Sequence, residues 1–212
     1  MFAEWFSIDP PYEQFANFKK GHYVNGAISP FTAGELAKAA FNNGYEEYGW
    51  DIVQRFMALV KRDKTSYFLY YPDSTPQPHG GPSAWGAAAF ISAIDEGLAG
   101  IHDMGVNYDE ILFAPKFPVT HYTELRYLTG YEVSGKLVDV RYILTDEGMR
   151  YDIHSPAKKI SAHILLPKGK QCSALLVNGK RTSFKPERIG NSDYINADVS
   201  ADGKISLELL FN

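Results

Sequence analysis

A chain of 212 residues with 45% hydrophobic content can bury a sizeable core, as one large domain or two small ones. Its 21 basic and 25 acidic side chains leave a net charge of -4, and its basic residues form no long run, so the phosphate-neutralising footprint of a nucleic-acid binder is missing. The single Cys172 excludes an internal disulfide and a multi-cysteine metal cluster, and it reads as a small thiol buried among apolar neighbours.

The start of the chain, Met1 to Phe6, lacks the basic segment and long apolar run of a secretory signal, and no stretch approaches the ~20 apolar residues of a membrane span. The chain as written carries no address, and neither membrane nor nucleic acid is an expected partner. Tyr12 to Lys19 is a possible first helix. The loop Tyr23-Val24-Asn25-Gly26-Ala27-Ile28-Ser29-Pro30 then feeds a helix over Phe31 to Phe41. Thr32 precedes Glu35 by three residues, as in a capping box, and Asn42-Asn43-Gly44 accepts the left-handed conformation that ends a helix. Ile52, Val53, Phe56, Met57 and Val60 give a second amphipathic helix from Glu46 to about Arg62, so the two form an antiparallel hairpin.

A second loop, Gln77-Pro78-His79-Gly80-Gly81-Pro82-Ser83-Ala84-Trp85, leads into a helix from Ser83 to about Gly100 whose Gly86-Ala87-Ala88-Ala89 lets a neighbouring helix come close. Near Gly105 the period changes from helical to two. Val138, Val140, Tyr142 and Leu144 alternate with Asp139 and Arg141, Met149, Tyr151 and Ile153 with Arg150 and Asp152, and Ile160, Ala162, Ile164 and Leu166 repeat the pattern. Asp146-Glu147-Gly148, Asn178-Gly179 and Asp202-Gly203 mark turns, and the last two pairs favour tight hairpins. The expected fold is α+β: helical hairpins over residues 1-104, then an antiparallel β-sandwich over 105-212.

Two loops that each deliver polar groups and an aromatic ring to a helix start suit a sugar site. Asn25 and His79 stand in glycine-flanked loops where an amide and an imidazole bond to hydroxyls, and Tyr23 and Trp85 offer stacking faces; His22 is a weaker candidate. A plainer role fits each as well: a loop imidazole on a nearby carbonyl for His79, a core ring at a helix start for Trp85. The histidines show no metal-ligand spacing, with His154 and His163 on polar strand faces, and Gly80-Gly81-Pro82 is no phosphate loop, so no metal or cofactor is expected.

The first loop with its small-residue helix resembles the NG-x-x-x-P segment of six-hairpin glycoside hydrolases, the (α/α)6-barrel superfamily of trehalases, glucoamylases and α-rhamnosidases. Gly81 to Ala88 with Ile94 to Ile101 is similar to its last barrel helix, and Ile111 to Pro118 to the exit into a C-terminal β-sandwich. The resemblance implies the last hairpins of a partial (α/α) barrel, an oligosaccharide or glycoside as partner, and a sugar subsite at Tyr23, Asn25, His79 and Trp85. A full barrel has twelve helices and this chain has three clear ones, so the implied general acid hairpin is missing. Where several members carry a catalytic base, Ser66 to Asp73, the one carboxyl here is Asp73, which serves equally to turn the chain after Pro72. Asp95 and Glu96, adjacent on a helix, point ~100° apart. The implied function is the C-terminal portion of a glycosidase-like enzyme without a complete catalytic pair, with a periplasmic or secreted parent left open. The alternatives are a non-catalytic carbohydrate-binding or protein-interaction module and a piece that associates through its exposed helical edge.

Overall fold

The computed structural model describes residues 19–23, 25–78 and 80–212. Among the described residues three α-helices come first, α1 (Pro30–Asn42), α2 (Glu46–Asp63) and α3 (Ala84–Ser92), the last continuing as a π-helical turn, Ala93–Leu98. Eleven strands follow: β1 (Ile101–Asp103), β2 (Glu110–Phe113), β3 (Glu124–Tyr131), β4 (Lys136–Leu144), β5 (Gly148–His154), β6 (Lys159–Leu165), β7 (Cys172–Val177), β8 (Lys180–Thr182), β9 (Lys185–Ile189), β10 (Ser192–Ser200) and β11 (Lys204–Phe211). The α+β class with helices ahead of two sheets is as expected. Of the possible helix at 12–19, only Lys19 is among the described residues, and it is irregular.

Two compact units are formed: 1–42 with 47–94, and 43–46 with 95–212. In the first, α1 and α3 run parallel, as Phe31 lies by Trp85, Gly34 by Ala89 and Lys38 by Ser92. Glycine makes the approach possible. A Cβ at Gly34 would sit 2.7 Å from the Ala89 Cβ, and one at Gly86 2.7 Å from the Pro30 Cβ. Phe56 of α2 stacks on Phe90 of α3 with centroids 3.7 Å apart. The start of α1 differs from the Thr32–Glu35 capping box. Pro30 takes the first helical position, where its fixed φ and missing N–H cost nothing. Thr32 therefore lies inside the helix and donates back to the Ser29 carbonyl, while Glu35 is exposed.

The second unit holds two sheets, ordered β1-β2-β6-β10-β9 and β3-β4-β5-β11-β7-β8, antiparallel throughout except for β2 with β6. Their inner faces meet through aromatic rings, Phe113 of β2 lying edge-on to Tyr151 of β5 at 5.3 Å. Asn178-Gly179 forms the expected two-residue hairpin, both residues at positive φ. Asp202-Gly203 does not. β10 and β11 belong to different sheets, so this turn carries the chain from one to the other, Gly203 accepting from the Ser155 N–H. Cys172 is half-buried rather than buried, its thiol donating to the Ala174 carbonyl.

The interior of this unit also contains a cation. Lys116 is 2% exposed and donates to the Ala114 carbonyl, and Glu46, 4% exposed, accepts from Tyr194 and Ser192. Burial pushes the Lys116 ammonium down to about 8, against a smaller opposing pull from the Glu46 carboxylate. Below that value both folded and unfolded chains carry the proton and the buried charge costs stability. As pH rises through the folded value, the folded chain releases a proton that the unfolded chain keeps to 10.5, so stability increases. The whole gain is about 3 kcal/mol, with about 1.5 kcal/mol developed by pH ~9. Above pH ~10 the trend reverses, because desolvation holds the Tyr151 and Tyr142 phenols protonated in the folded chain alone. Urea midpoints measured from pH ~7 to ~9 are expected to rise in the parent chain and to stay flat in Lys116→Met.

Candidate functional site

The two loops flagged in the sequence both precede helices of the parallel pair, so they share one end of it. Ile28 and Tyr70 exchange backbone hydrogen bonds of 2.9 Å each. The second loop folds on itself, Gln77 donating to the Leu69 carbonyl, Phe68 to Gly81 and Ser83 to Ser66. Gln77 joins the two. Its Oε1 accepts from the Tyr23 N–H at 3.0 Å, and its Nε2 donates to the Gly21 and Tyr70 carbonyls at 3.0 and 3.2 Å. The amide is 2% exposed, so its bonds to Gly21 and Tyr70 form out of reach of water.

On this frame sits an aromatic platform. Ser83 caps α3 by accepting from the Trp85 N–H, which fixes the indole on the first turn. Trp85 is 65% exposed, with Phe68 edge-on at 5.8 Å and Phe31 tilted at 6.2 Å. Gly80, at φ +83°, passes beneath Phe68 where a Cβ would come within 2.7 Å of the ring. Trp85 is thus an exposed ring held by two others, in place of the core aromatic that its helix-start position also allowed.

The other candidates are placed differently. Tyr23, at φ +45°, is half-buried and tied to Gln77 through its backbone. Asn25 is 3% exposed, and its backbone closes a tight turn with Gly21 and His22. His22 packs edge-on to Tyr71 at 4.9 Å. His79 lies outside the described residues. Asp73 is exposed at the tip of the second loop, where Thr75 donates to its Oδ1 from both N–H and hydroxyl. Those bonds hold its carboxyl below the usual range, so at neutral pH it has no proton to give.

Within the second unit, the π-helical turn sets Asp95 half-buried on β3, accepting from the Tyr127 hydroxyl at 3.2 Å. Desolvation raises its carboxyl pKa, with the bonds from Thr129 and Tyr127 opposing. His163, expected on an open strand face, is partly covered: it stacks on Tyr194 at 4.4 Å and bonds to Asn196 at 2.7 Å. Among the described residues no three His, Cys, Asp or Glu side chains are grouped as a metal site, and no helix is long and apolar enough to cross a membrane.

No protein-family model matches the sequence, and no curated protein sequence matches it significantly. Among solved structures, the chain is similar to an α-L-rhamnosidase from Dictyoglumus thermophilum, with a TM-score of 0.56 and 13% identity over 95% of this chain. The match spans 22% of that enzyme's chain. A structure described as a glycoside hydrolase aligns at a TM-score of 0.38 and 12% identity, over 89% of this chain and 33% of that one. At such identity the likeness to the rhamnosidase is one of fold: a glycosidase-like succession of helices and sheets.

Removing the Gln77 amide takes the donor from the buried Gly21 carbonyl and the side-chain acceptor from the half-buried Tyr23 N–H, at about 1–3 kcal/mol for a buried group. Gln77→Ala is expected to lower unfolding free energy by about 2–4 kcal/mol in urea titration. It should also speed hydrogen exchange at the Tyr23 amide before global unfolding, and an unchanged exchange rate there would show that the two loops are held by other means.

Proposed function

We propose that this chain is part of a carbohydrate-active, glycosidase-like protein, and that the end of the helix pair bearing both loops is one wall of a sugar subsite. Trp85 carries the reading. A ring already held by Phe31 and Phe68 presents a flat face without having to be ordered by its ligand, which keeps the entropy cost of binding small. The C–H face of a pyranose packs on such a ring, and Tyr23 is the second stacking candidate. Asn25, buried in the turn, serves by holding the loop, and His79 is retained as a hydrogen-bonding group on its position in the sequence.

The carboxyl nearest in sequence to this surface favours binding over turnover by the chain alone. Glycoside hydrolysis uses an acid and a second carboxylate roughly 5–10 Å apart. Asp73, ionised and engaged by Thr75, suits no general acid. The reading therefore assigns the catalytic pair to further helical hairpins that associate with the exposed apolar side chains of the helices, among them Met57 at 53% and Ile91 at 65% exposure. A non-catalytic carbohydrate-binding role rests on the same platform, and association of the chain with further helical hairpins into a species that hydrolyses nitrophenyl glycosides separates the two.

The fold neighbour's substrate class makes L-rhamnose the first ligand to try, with other neutral monosaccharides beside it. Titration followed by the Trp85 indole resonance is expected to give saturable shifts. Trp85→Ala, compared with the parent chain by calorimetric titration, should weaken binding about five- to tenfold, as the loss of one stacking contact of about 1–1.5 kcal/mol implies. If no sugar perturbs the Trp85 indole, the subsite does not exist.

A further inference from the structure

Period-two alternation turns one face of the six-stranded sheet outward. Val138, Val140 and Tyr142 of β4 are buried, as are Met149, Tyr151 and Ile153 of β5, so the residues between them face solvent. Register aligns Arg126, Arg141, Asp152 and Ser206 in one row across β3, β4, β5 and β11, and Asn178, just past β7, extends it by accepting from the Ser206 N–H at 2.9 Å. At ordinary strand spacing this row is about 19 Å long. The next row holds Leu128, Asp139, His154 and Lys204. Two open grooves of about 680 and 470 Å³ lie over these rows and share Arg126, Asp139 and His154.

Charge on this face is balanced. Over β3, β4, β5 and β11 the outward cations Arg126, Arg141, Arg150 and Lys204 stand against the outward anions Glu124, Asp139, Asp152 and Glu208. Arg181 lies apart at the sheet edge, across Leu176 from Glu208. Asp139 takes both Nε and Nη2 of Arg126 at 2.9 and 2.6 Å, Arg141 holds Glu124 at 2.8 Å, and Arg150 holds Asp152 at 2.7 Å with Glu208 opposite. Such a pair carries no net charge but keeps bonding capacity. Arg126 retains its Nη1 donors, and each Asp139 oxygen retains a lone pair.

Beside the paired charges lies an apolar shelf. Leu128 and Leu137 are 56% and 42% exposed, and with Pro156 they line the smaller groove. Gly130 stands opposite Leu137 with no side chain to cover it, and a Cβ there would fall 3.1 Å from the Leu137 Cδ2. The grooves thus join a row of neutral hydrogen-bonding pairs to an exposed aliphatic surface. The matching ligand is uncharged, rich in hydroxyls at its edges and apolar on its faces.

We propose that this face binds a neutral oligosaccharide, with ring hydroxyls on the Arg126–Asp139 pair and on Ser206 and Asn178, and a pyranose C–H face on Leu128 and Leu137. Ion pairing fixes the planar groups in advance, so they offer donors and acceptors with little further ordering. A charged ligand has no uncompensated partner here and would have to break a pair to gain one. That the ligand is a saccharide rests on the carbohydrate reading above; its neutrality and its apolar face rest on this surface alone.

Titrating the full chain with maltohexaose, cellohexaose and mannohexaose, and with a galacturonic acid hexamer as the charged control, tests this through backbone amide resonances. Saturable shifts at Asp139, Asp152 and Ser206 are expected with at least one neutral hexamer and none with the acidic one. Affinity should change less than about twofold between ~0.01 M and ~1 M salt, although screening shortens from roughly 30 to 3 Å, because no net charge is neutralised. Arg126→Lys keeps the charge and loses the fork, and Leu128→Ser with Leu137→Ser removes the shelf. Each change, at exposed positions, should weaken binding about two- to tenfold, while Trp85→Ala leaves it unchanged. The proposal is overturned by the absence of shifts with all three neutral hexamers, by equal binding of the acidic hexamer, or by undiminished binding in either variant. Loss of these shifts in Trp85→Ala overturns it as well and assigns the oligosaccharide to the aromatic platform. Sugars that perturb the Trp85 indole without shifting these amides refute this site alone, whereas silence at both refutes the carbohydrate reading itself.

Discussion

One buried amide makes a single surface out of two stretches of chain more than fifty residues apart in sequence. Gln77 spends both its acceptor and its donors on backbone groups, bonding Tyr23 and Gly21 in one loop and Tyr70 in the other. Of those groups, the Tyr70 carbonyl also accepts from the Ile28 N–H, while the buried Gly21 carbonyl takes its donor from Gln77, and losing that bond costs about as much as a lost hydrogen bond. The close parallel crossing of α1 and α3, allowed by Gly34 and Gly86, brings the helix starts together; Gln77 then decides how the loops in front of them lie. The exposed Trp85 has a fixed orientation because the frame behind it is satisfied.

Most of the architecture was legible because burial imposes a period. Helical spacing before Gly105 and alternation after it follow from which face meets the core, and α2 and the strands β4, β5 and β6 lie within a residue or two of where those periods placed them. Endpoints governed by one residue's stereochemistry were less legible. Pro30, not Thr32, starts α1, because a proline without an N–H fits the first helical position. Asp202-Gly203 did signal a turn with positive φ at Gly203, yet the local sequence says nothing about which sheet receives the next strand.

The site was legible in part. Trp85 stood out by its place after a glycine-proline loop, whereas Gln77 belongs to no motif and passed unnoticed. A signal existed: Pro76 and Pro78 both lack an N–H, so in this extended stretch only Gln77 can donate from the backbone, and it does, to Leu69. A polar side chain alternating out of such a segment is held in one orientation and has every reason to be inward and bonded. Asn25, by contrast, read as a binding group and is 3% exposed, with its backbone closing the turn with Gly21 and His22.

The three carboxyls Asp73, Asp95 and Glu46 show why residue type alone could not assign chemistry. Asp73 is exposed and bonded by Thr75, which stabilises the ion and lowers its pKa. Asp95 is half-buried on the π-helical turn, and loss of water raises its pKa despite bonds from Tyr127 and Thr129. Glu46 accepts from Tyr194 and Ser192, and its field pulls the pKa of Lys116 back up against desolvation. A general acid at neutral pH needs a raised pKa and access to substrate together. Asp73 has access without the shift, and Asp95 has the shift while half-buried and bonded to Tyr127 within the second unit. The combination is met by neither, because in each case the surroundings that set the carboxyl's pKa also set what can reach it.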